Sequence, residues 1–162
     1  MTRGERSMYH RVVAGQVRKA FAEISAGNWE AMVAGMAPNF SYTFYGDHAL
    51  AGQRHTHDAL RRWWERCFRL LPNTRFEVQD ILVAGWPWNT RVATAVTVHV
   101  GVVDGSQYEN VVHQFLRIRW GKITEVRTLE DTAVLEKTLD RLAAAGYAEA
   151  HAAPITDRRT SC

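Results

Sequence analysis

The chain has 162 residues, of which 46% are hydrophobic and 23% charged, and its formal net charge is +3. This length suits a single domain with a full hydrophobic core, and the composition excludes an intrinsically disordered chain. No run of 18 apolar residues occurs, which excludes a transmembrane helix, and the basic residues are spread along the chain instead of forming the concentrated face of a nucleic-acid-binding protein.

The two cysteines indicate neither a structural disulfide nor a metal site. Cys67 falls inside a predicted helix and Cys162 is the last residue, so the pair lacks the spacing of metal ligands. The first six residues lack the apolar core of a signal peptide. We therefore expect a cytoplasmic protein.

The first half of the chain predicts three helices. Apolar residues recur at helical spacing from Met8 to Ile24, and Gly27-Asn28 ends this first helix. A short second helix runs from Trp29 to Met36 and is closed by Pro38. The third helix, residues 59–71, has two alternative caps, Thr56 or His57-Asp58, and its apolar positions are Leu60, Trp63, Trp64, Cys67, Phe68 and Leu71.

Alternating patterns predict five strands, one before the third helix and four after it. The first strand, residues 39–45, places Phe40, Tyr42 and Phe44 on one face, and residues 46–53 after it are expected to form a loop. The later strands are residues 76–84, 91–103, 108–120 and a last one that ends near Asp131, with tight turns at 85–89, Asp104-Gly105 and Gly121-Lys122.

A final helix is expected over residues 133–145, followed by a flexible tail over 151–162. A twisted sheet cannot bury its concave face alone, and the three early helices are the available cover. The predicted fold class is α+β: a cone-shaped, curved antiparallel or mixed sheet covered by three N-terminal helices, with a short C-terminal helix. Residues 1–150 form a single domain with a pocket between sheet and helices.

Several local patterns occur together in a characteristic order. They are the helix with Phe21 before the Gly27-Asn28-Trp29 break, the strand that ends in Phe44-Tyr45-Gly46, the Ala51-Gly52 loop before an Arg-Trp-Trp helix, and the final hairpin from Tyr108 to Asp131. In order and spacing, residues from about Tyr9 to Leu142 resemble the nuclear transport factor 2-like superfamily, and within it the SnoaL-like polyketide cyclases.

This resemblance implies an α+β cone that is commonly a homodimer and often contains a deep apolar pocket. Members of the superfamily include ketosteroid isomerases, polyketide cyclases, limonene-type epoxide hydrolases, dehydratases, and non-enzymatic binding or dimerisation modules. The fold therefore does not by itself settle the function.

Strand periodicity predicts which side chains share the pocket. In the 108–120 strand, one face carries Asn110, Val112, Gln114, Leu116 and Ile118, and we assign the opposite, charged face to solvent or a subunit contact. In the 91–103 strand, the match to the epoxide-hydrolase pattern directs Ala95, Thr97 and His99 toward the pocket. A slip of one residue would reverse this assignment, and His113 could then replace His99.

Three residues are candidates for catalysis. Asp131 matches the aspartate that the resembled cyclases and hydrolases use as an acid or base, although it also fits the N-cap of the last helix. Tyr42 matches a tyrosine that helps the hydrolases hold a water, although a core aromatic is equally expected there. His99 is the candidate that titrates near neutral pH, with a rim or surface position as the alternative.

The chain lacks several catalytic residues of the resembled enzymes, so their mechanisms do not apply to it as a whole. The arginine and aspartate of the epoxide hydrolases fall at Ala95 and Thr97. No carboxylate occurs between Phe40 and Gly46, where the ketosteroid isomerase base lies, and the acid of that enzyme falls near Gln114, which donates an amide proton only. His48, His55 and His57 cluster near Asp47, but their spacing does not predict a metal site.

Our leading hypothesis is a cofactor-independent acid/base enzyme of SnoaL-like type, acting on a small apolar molecule (polyketide-, steroid- or terpenoid-like) by cyclisation, isomerisation or hydrolysis. Asp131 moves a proton, and Tyr42 or His99 polarises the substrate or orients water. The expected substrate-binding residues are Phe44, Trp63, Trp64, Thr97, Asn110, Val112 and Gln114. The alternative is a non-catalytic ligand-binding or dimerisation module, which an open apolar pocket with Asp131 at its wall would disfavour.

Overall fold

The computed structural model describes residues 3–158, except for the side chain of Arg3. Within this range, four α-helices cover or flank a sheet of six strands. The helices are α1 (Arg3–Ser25), α2 (Glu30–Gly35), α3 (His57–Leu70) and α4 (Thr132–Ala144), and a short 3₁₀ helix follows at Ala148–His151. The strands are β1 (Met36–Phe44), β2 (Gly52–Arg54), β3 (Arg75–Trp86), β4 (Asn89–Gly101), β5 (Gln107–Arg119) and β6 (Lys122–Glu130).

The sheet has the order β2-β1-β6-β5-β4-β3. Strand β1 runs parallel to β6, whereas all other neighbours are antiparallel, so the sheet is mixed. The predicted α+β fold class is confirmed: an open, mixed sheet is covered on one face by helices. No helix within the described residues is long and apolar enough to cross a membrane.

Helix α1 lies across the inner face of the sheet and is fastened to it at both ends. Its buried residues recur every three or four positions, at Val13, Val17, Phe21 and Ile24. Near its start the Tyr9 hydroxyl lies 2.5 Å from Thr90 Oγ1, and at its end Ser25 Oγ accepts a hydrogen bond of 2.9 Å from the amide of Phe76. This attachment keeps the helix at a fixed position above strands β3 and β4.

Helix α3 begins directly after Thr56, which is one of the two N-caps that the sequence predicts. The Thr56 side chain accepts a hydrogen bond from the amide of Ala59, which stabilises the first turn. The helix buries Leu60, Trp63 and Trp64 against the sheet.

The region after α2 differs from the prediction. Strand β1 starts at Met36, where we expected the end of the second helix, and it contains Pro38. The pairing of β1 with β6 is interrupted between Met36 and Ser41, so the missing amide of Pro38 removes no ladder hydrogen bond. Residues 52–54, expected in a loop, form the short strand β2 against Tyr42–Phe44.

The described part of the C-terminal segment, for which we predicted a flexible tail over residues 151–162, contacts the rest of the fold. The side chain of Asp157 accepts hydrogen bonds from the amides of His55, at 2.5 Å, and Thr56, at 2.9 Å, and from the Thr56 hydroxyl. The carbonyl of Ala153 accepts one from Arg66 at 2.8 Å. These contacts fasten the segment to α3, and the amide of Asp157 also donates a hydrogen bond of 3.4 Å to the carbonyl of Gln53 in β2. Cys162, which we placed on this tail, lies outside the described residues.

Candidate functional site

A large apolar cavity lies between α1 and the inner face of the sheet, with a volume of about 530 Å³. We call it the outer cavity. Helix α1 supplies most of one wall, and the sheet side is formed by Gln114, Leu116, Ile118 and Ile123. Its size matches that of small-molecule sites, which are mostly apolar and contain a few polar groups that orient the ligand.

A smaller space of about 80 Å³ lies deeper in the cone, and we call it the inner chamber. Its lining includes the polar side chains of Tyr42, Tyr108, Gln114, Thr128 and Glu130. Its volume corresponds to two or three water molecules at roughly 30 Å³ each.

Three residues line both spaces and therefore form the partition between them: Trp64, Phe76 and Gln114. The side chain of Gln114 donates a hydrogen bond of 3.0 Å to Thr128 Oγ1. The indole nitrogen of Trp64 is buried and has no hydrogen-bond partner among the described residues. A buried donor without a partner is rare in proteins, and this one lies at the boundary of a cavity of ligand size.

The main titratable group of the inner chamber is Glu130, which we did not single out from the sequence. Strand β6 directs Val126, Thr128 and Glu130 inward, because alternate residues share a face. Burial raises the pKa of Glu130 from 4.5 to about 7. A carboxyl group with this pKa exchanges its proton near neutral pH, as general acid/base catalysis requires.

A chain of hydrogen bonds holds Glu130 in place. The hydroxyl of Tyr108 donates to Glu130 Oε2 at 3.1 Å and accepts from the side-chain amide of Asn110 at 2.8 Å. The same amide nitrogen also donates to the carbonyl of Asp131 at 2.9 Å. Burial raises the pKa of Tyr108, so its phenol remains protonated and continues to donate.

Asp131 does not line either space, which corrects our expectation for the main catalytic candidate. Its side chain is exposed and accepts hydrogen bonds from the amides of Ala133, at 3.1 Å, and Val134, at 3.4 Å. The residue is therefore the N-cap of α4, the alternative that the sequence had left open. The inward carboxylate is its neighbour Glu130.

His99 and Thr97 are also misplaced in our prediction. Strand β4 buries its valines and turns the other face outward, so both residues lie on the outside of the sheet. His99 lies between two carboxylates, 3.5 Å from Glu77 and 3.0 Å from Glu109, and the Thr97 hydroxyl accepts a hydrogen bond from Gln79. His113 is exposed on β5 and does not take the place of His99.

The remaining predicted site residues face the interior. Phe44, Trp63, Val112 and Tyr42 line the inner chamber, while Trp64 and Gln114 belong to the partition. Burial raises the pKa of Tyr42, which keeps its phenol protonated. Asn110 is buried but lines neither space, and it acts through the hydrogen bonds to Tyr108 and Asp131.

A buried arginine supports two of these aromatic side chains. Arg54 is fully buried, and its guanidinium carbon lies 4.9 Å from the ring centre of Trp63 and 5.8 Å from that of Tyr42. It donates hydrogen bonds to the carbonyls of Ala51 and Gly52. Burial lowers its pKa to about 10, so the group remains charged at neutral pH and holds both rings by cation–π attraction.

The histidines near Asp47 take separate roles. The ring of His48 contacts Phe44, and its Nδ1 accepts a hydrogen bond from the amide of Leu50, whereas the rings of His55 and His57 lie near Phe40. In the part of the chain that the structure describes, no three His, Cys, Asp or Glu side chains are grouped as metal ligands.

Comparison with known proteins agrees with this architecture. The family model of the SnoaL-like domain matches residues 17–126. No curated protein matches the chain. An NTF2-like protein of unknown function from Burkholderia pseudomallei superposes with a TM-score of 0.69 at 18% identity, covering 77% of this chain and 95% of that one.

Two further solved structures have similar folds. PrhC from Penicillium brasilianum is 17% identical, with a TM-score of 0.74 and coverage of 86% of this chain and 93% of its own. TerC, co-crystallised with polyporic acid, is also 17% identical, with a TM-score of 0.66 and coverage of 76% and 95%. At these identities the likeness concerns the fold alone.

Proposed function

The chain belongs to the SnoaL-like domain family, and from this premise we propose that it is a cofactor-independent acid/base enzyme acting on a small apolar molecule. The observation that carries the proposal is the largely buried carboxyl group of Glu130, whose pKa of about 7 suits proton transfer, in a chamber that shares a wall with an apolar cavity of about 530 Å³. Glu130 thus takes the role that we had first given to Asp131.

The proposed roles of the outer cavity and the inner chamber follow from the residues that line them. The apolar body of the ligand occupies the outer cavity, and its carbonyl oxygen lies at the partition, where the indole N–H of Trp64 has no other partner. A hydrogen bond from this buried donor stabilises negative charge that develops on the oxygen. The ionised carboxylate of Glu130 removes a proton next to the carbonyl group and returns it at the same or another carbon atom.

The inner-chamber residues support this proton transfer. Tyr108 donates to Glu130 and holds the carboxyl group in one orientation, and Tyr42 and Thr128 provide polar groups for the reacting end of the ligand. The apolar walls exclude water, which strengthens each of these contacts. Cyclisation and isomerisation both require proton transfer of this kind, and hydrolysis would need a water molecule in the inner chamber.

An exchange assay tests the proposal without knowledge of the natural substrate. In D₂O, 1-tetralone loses the protons next to its carbonyl group to solvent, and NMR follows the loss. We expect the protein to accelerate this exchange, with a rate that rises with pH and levels off above about 7, the pKa of Glu130. Glu130→Gln should reduce the acceleration at least about 100-fold, the typical contribution of a general base.

Asp131→Asn is the matched control, because it changes the neighbouring, exposed carboxylate and retains a capping oxygen. This variant should exchange 1-tetralone as fast as the wild type. If Glu130→Gln keeps the full rate, or if Asp131→Asn loses it, Glu130 is not the base.

The second candidate function is a non-catalytic binding module, and the partition favours it. A ligand confined to the outer cavity does not reach Glu130, because Trp64, Phe76 and Gln114 lie between them. In that case 1-tetralone binds, as calorimetry detects, but its exchange rate stays at the solvent value in wild type and in Glu130→Gln alike.

We also propose that two copies associate through the outer face of the sheet. A row of neighbouring residues, Leu82, Ala93, Phe115 and Arg127, crosses four strands there. Leu82 and Phe115 are 65% and 43% exposed, and the Arg127 guanidinium lies over the Phe115 ring at 5.6 Å. An exposed apolar row with adjacent charges is typical of a protein interface.

A further inference from the structure

Three tryptophans stand together at the mouth of the outer cavity. The rings of Trp86 and Trp88 are stacked, with centres 5.6 Å apart and planes within 4°, and Trp120 lies 6.1 Å from Trp88. We call Trp86, Trp88 and Trp120 the indole platform. Trp120 and the neighbouring Pro87 line the outer cavity, so the platform is continuous with it.

The platform is built from the tips of two hairpins. Trp88 lies in the turn between β3 and β4, and Trp120 in the turn between β5 and β6, one residue earlier than the predicted turn. The amide of Trp120 donates a hydrogen bond of 2.7 Å to the carbonyl of Pro87, which fastens the two tips together. A backbone hydrogen bond therefore holds together the two tips that carry Trp88 and Trp120.

The backbone of Trp120 is unusual for so large a residue. Its φ is 49° and that of Gly121 is 77°, so the turn has left-handed conformations at both central positions. Asn, Asp and Gly are preferred in such turns, whereas a bulky side chain destabilises them.

Burial does not offset this strain, since Trp120 is 73% exposed and Trp88 is 53% exposed. The fold gains little from tryptophan at either position. Strained residues of this kind cluster at ligand contacts.

We propose that the indole platform is a second binding subsite, which holds a flat, conjugated ring of the ligand outside the outer cavity. The inference rests on the proposed function, because it assumes that the outer cavity holds the rest of the same ligand. Indole faces favour flat aromatic partners in offset or tilted stacking. The ligand class that fits is an apolar molecule with a planar ring system at one end, longer than the outer cavity alone accommodates.

Calorimetric titration with two probes tests the subsite. One probe is 1-pyrenemethanol, which is flat and conjugated, and the other is 1-adamantanemethanol, a compact saturated cage. The test variant is Trp120→Asn, because asparagine suits the left-handed turn and removes the indole. Trp120→Phe keeps a stacking ring, and Val17→Trp fills the outer cavity.

We expect Trp120→Asn to bind 1-pyrenemethanol about tenfold more weakly, equivalent to about 1.4 kcal/mol, and to weaken binding of the cage much less, because Trp120 is only one part of the outer-cavity wall. Its melting temperature should equal or exceed that of the wild type, so that weaker binding is not a sign of unfolding. Trp120→Phe should recover most of the pyrene affinity, and Val17→Trp should weaken both probes.

Other outcomes overturn the inference in distinguishable ways. If Trp120→Asn binds pyrene like the wild type while Val17→Trp does not, the outer cavity holds ligands and the platform takes no part. Equal losses for both probes would mean that Trp120 shapes the entrance without stacking. If neither probe binds the wild type, the proposed ligand cavity fails together with the subsite. A loss of dimers in Trp120→Asn would assign the indoles to contact between copies.

Discussion

The carboxyl group of Glu130 makes the free energy of unfolding depend on pH, and the substitution Glu130→Gln measures this contribution by itself. Below about pH 4.5, its ordinary pKa, this group is protonated in both the folded and the unfolded chain. As the pH rises to about 7, the unfolded chain releases the proton and the folded chain keeps it, so the folded state loses stability. Above pH 7 both states are ionised and the loss is complete.

The difference between 4.5 and about 7 sets the size of this effect. At about 1.4 kcal/mol for each pH interval of one, the loss amounts to about 3 kcal/mol. Gln has the shape of the protonated acid and does not titrate. Glu130→Gln should therefore leave the free energy of unfolding within about 1 kcal/mol of the wild type at pH 5 and raise it by about 3 kcal/mol at pH 8.

Urea unfolding at pH 5, 6, 7 and 8 measures this difference, and the titration of all other groups cancels between the two proteins. Asp131→Asn serves as the control: it should differ from the wild type by less than about 0.5 kcal/mol at every pH, since asparagine caps helices as well as aspartate does. A Glu130→Gln difference that is the same at pH 5 and pH 8 would show that the folded state does not hold the proton, and the proposed base would lose its main support.

Two further predictions concern the C-terminal segment and the outer face of the sheet. Asp157→Ala removes the acceptor for the amides of His55 and Thr56. It should lower the free energy of unfolding, measured in urea, by about 1–2 kcal/mol. An unchanged urea midpoint would mean that the C-terminal segment adds no stability. Phe115→Lys should convert dimers to monomers in sedimentation equilibrium, whereas Tyr147→Lys, at an exposed apolar residue outside the sheet, should not. Monomeric wild type would refute the proposed pairing through the outer face.

The strand faces show what the sequence can and cannot decide. The valines of β4 are larger and more apolar than the alanines and threonines between them, and burial favours the face with more apolar surface. That argument would have turned Thr97 and His99 outward, as the structure does. We assigned them inward because we matched the strand to a family pattern whose charged residues are absent here. On β5 periodicity alone was used, and it placed Gln114 and Val112 correctly at the interior.

We predicted that Asp131 faces inward, whereas in the structure Glu130 does, and this difference has another cause. Two adjacent carboxylates stand where a strand passes into a helix, and the last strand residue and the helix cap differ by one position. Sequence patterns locate such a boundary only to within a few residues, so they do not decide which of the two carboxylates faces inward. Alternation from Val126 through Thr128 does reach Glu130, which was the one available signal.

The partition between the two spaces has no sequence signature, since it depends on how side chains from three elements meet. Trp64 comes from α3, Phe76 from β3 and Gln114 from β5. Gln114 is held by Thr128, and the Trp64 ring packs edge-on against Trp63 at 4.8 Å, so these two side chains are fixed. Phe76 is less buried and packs against Phe21 of α1.

Under the proposed function, a ligand that reaches Glu130 has to pass these three side chains, and Phe76 is the least buried of them. A ligand confined to the outer cavity instead contacts only the outer side of this partition and does not reach the carboxyl group. The contact between the Phe76 and Phe21 rings, whose centres lie 5.5 Å apart, therefore bears on which of the two proposed functions the site supports.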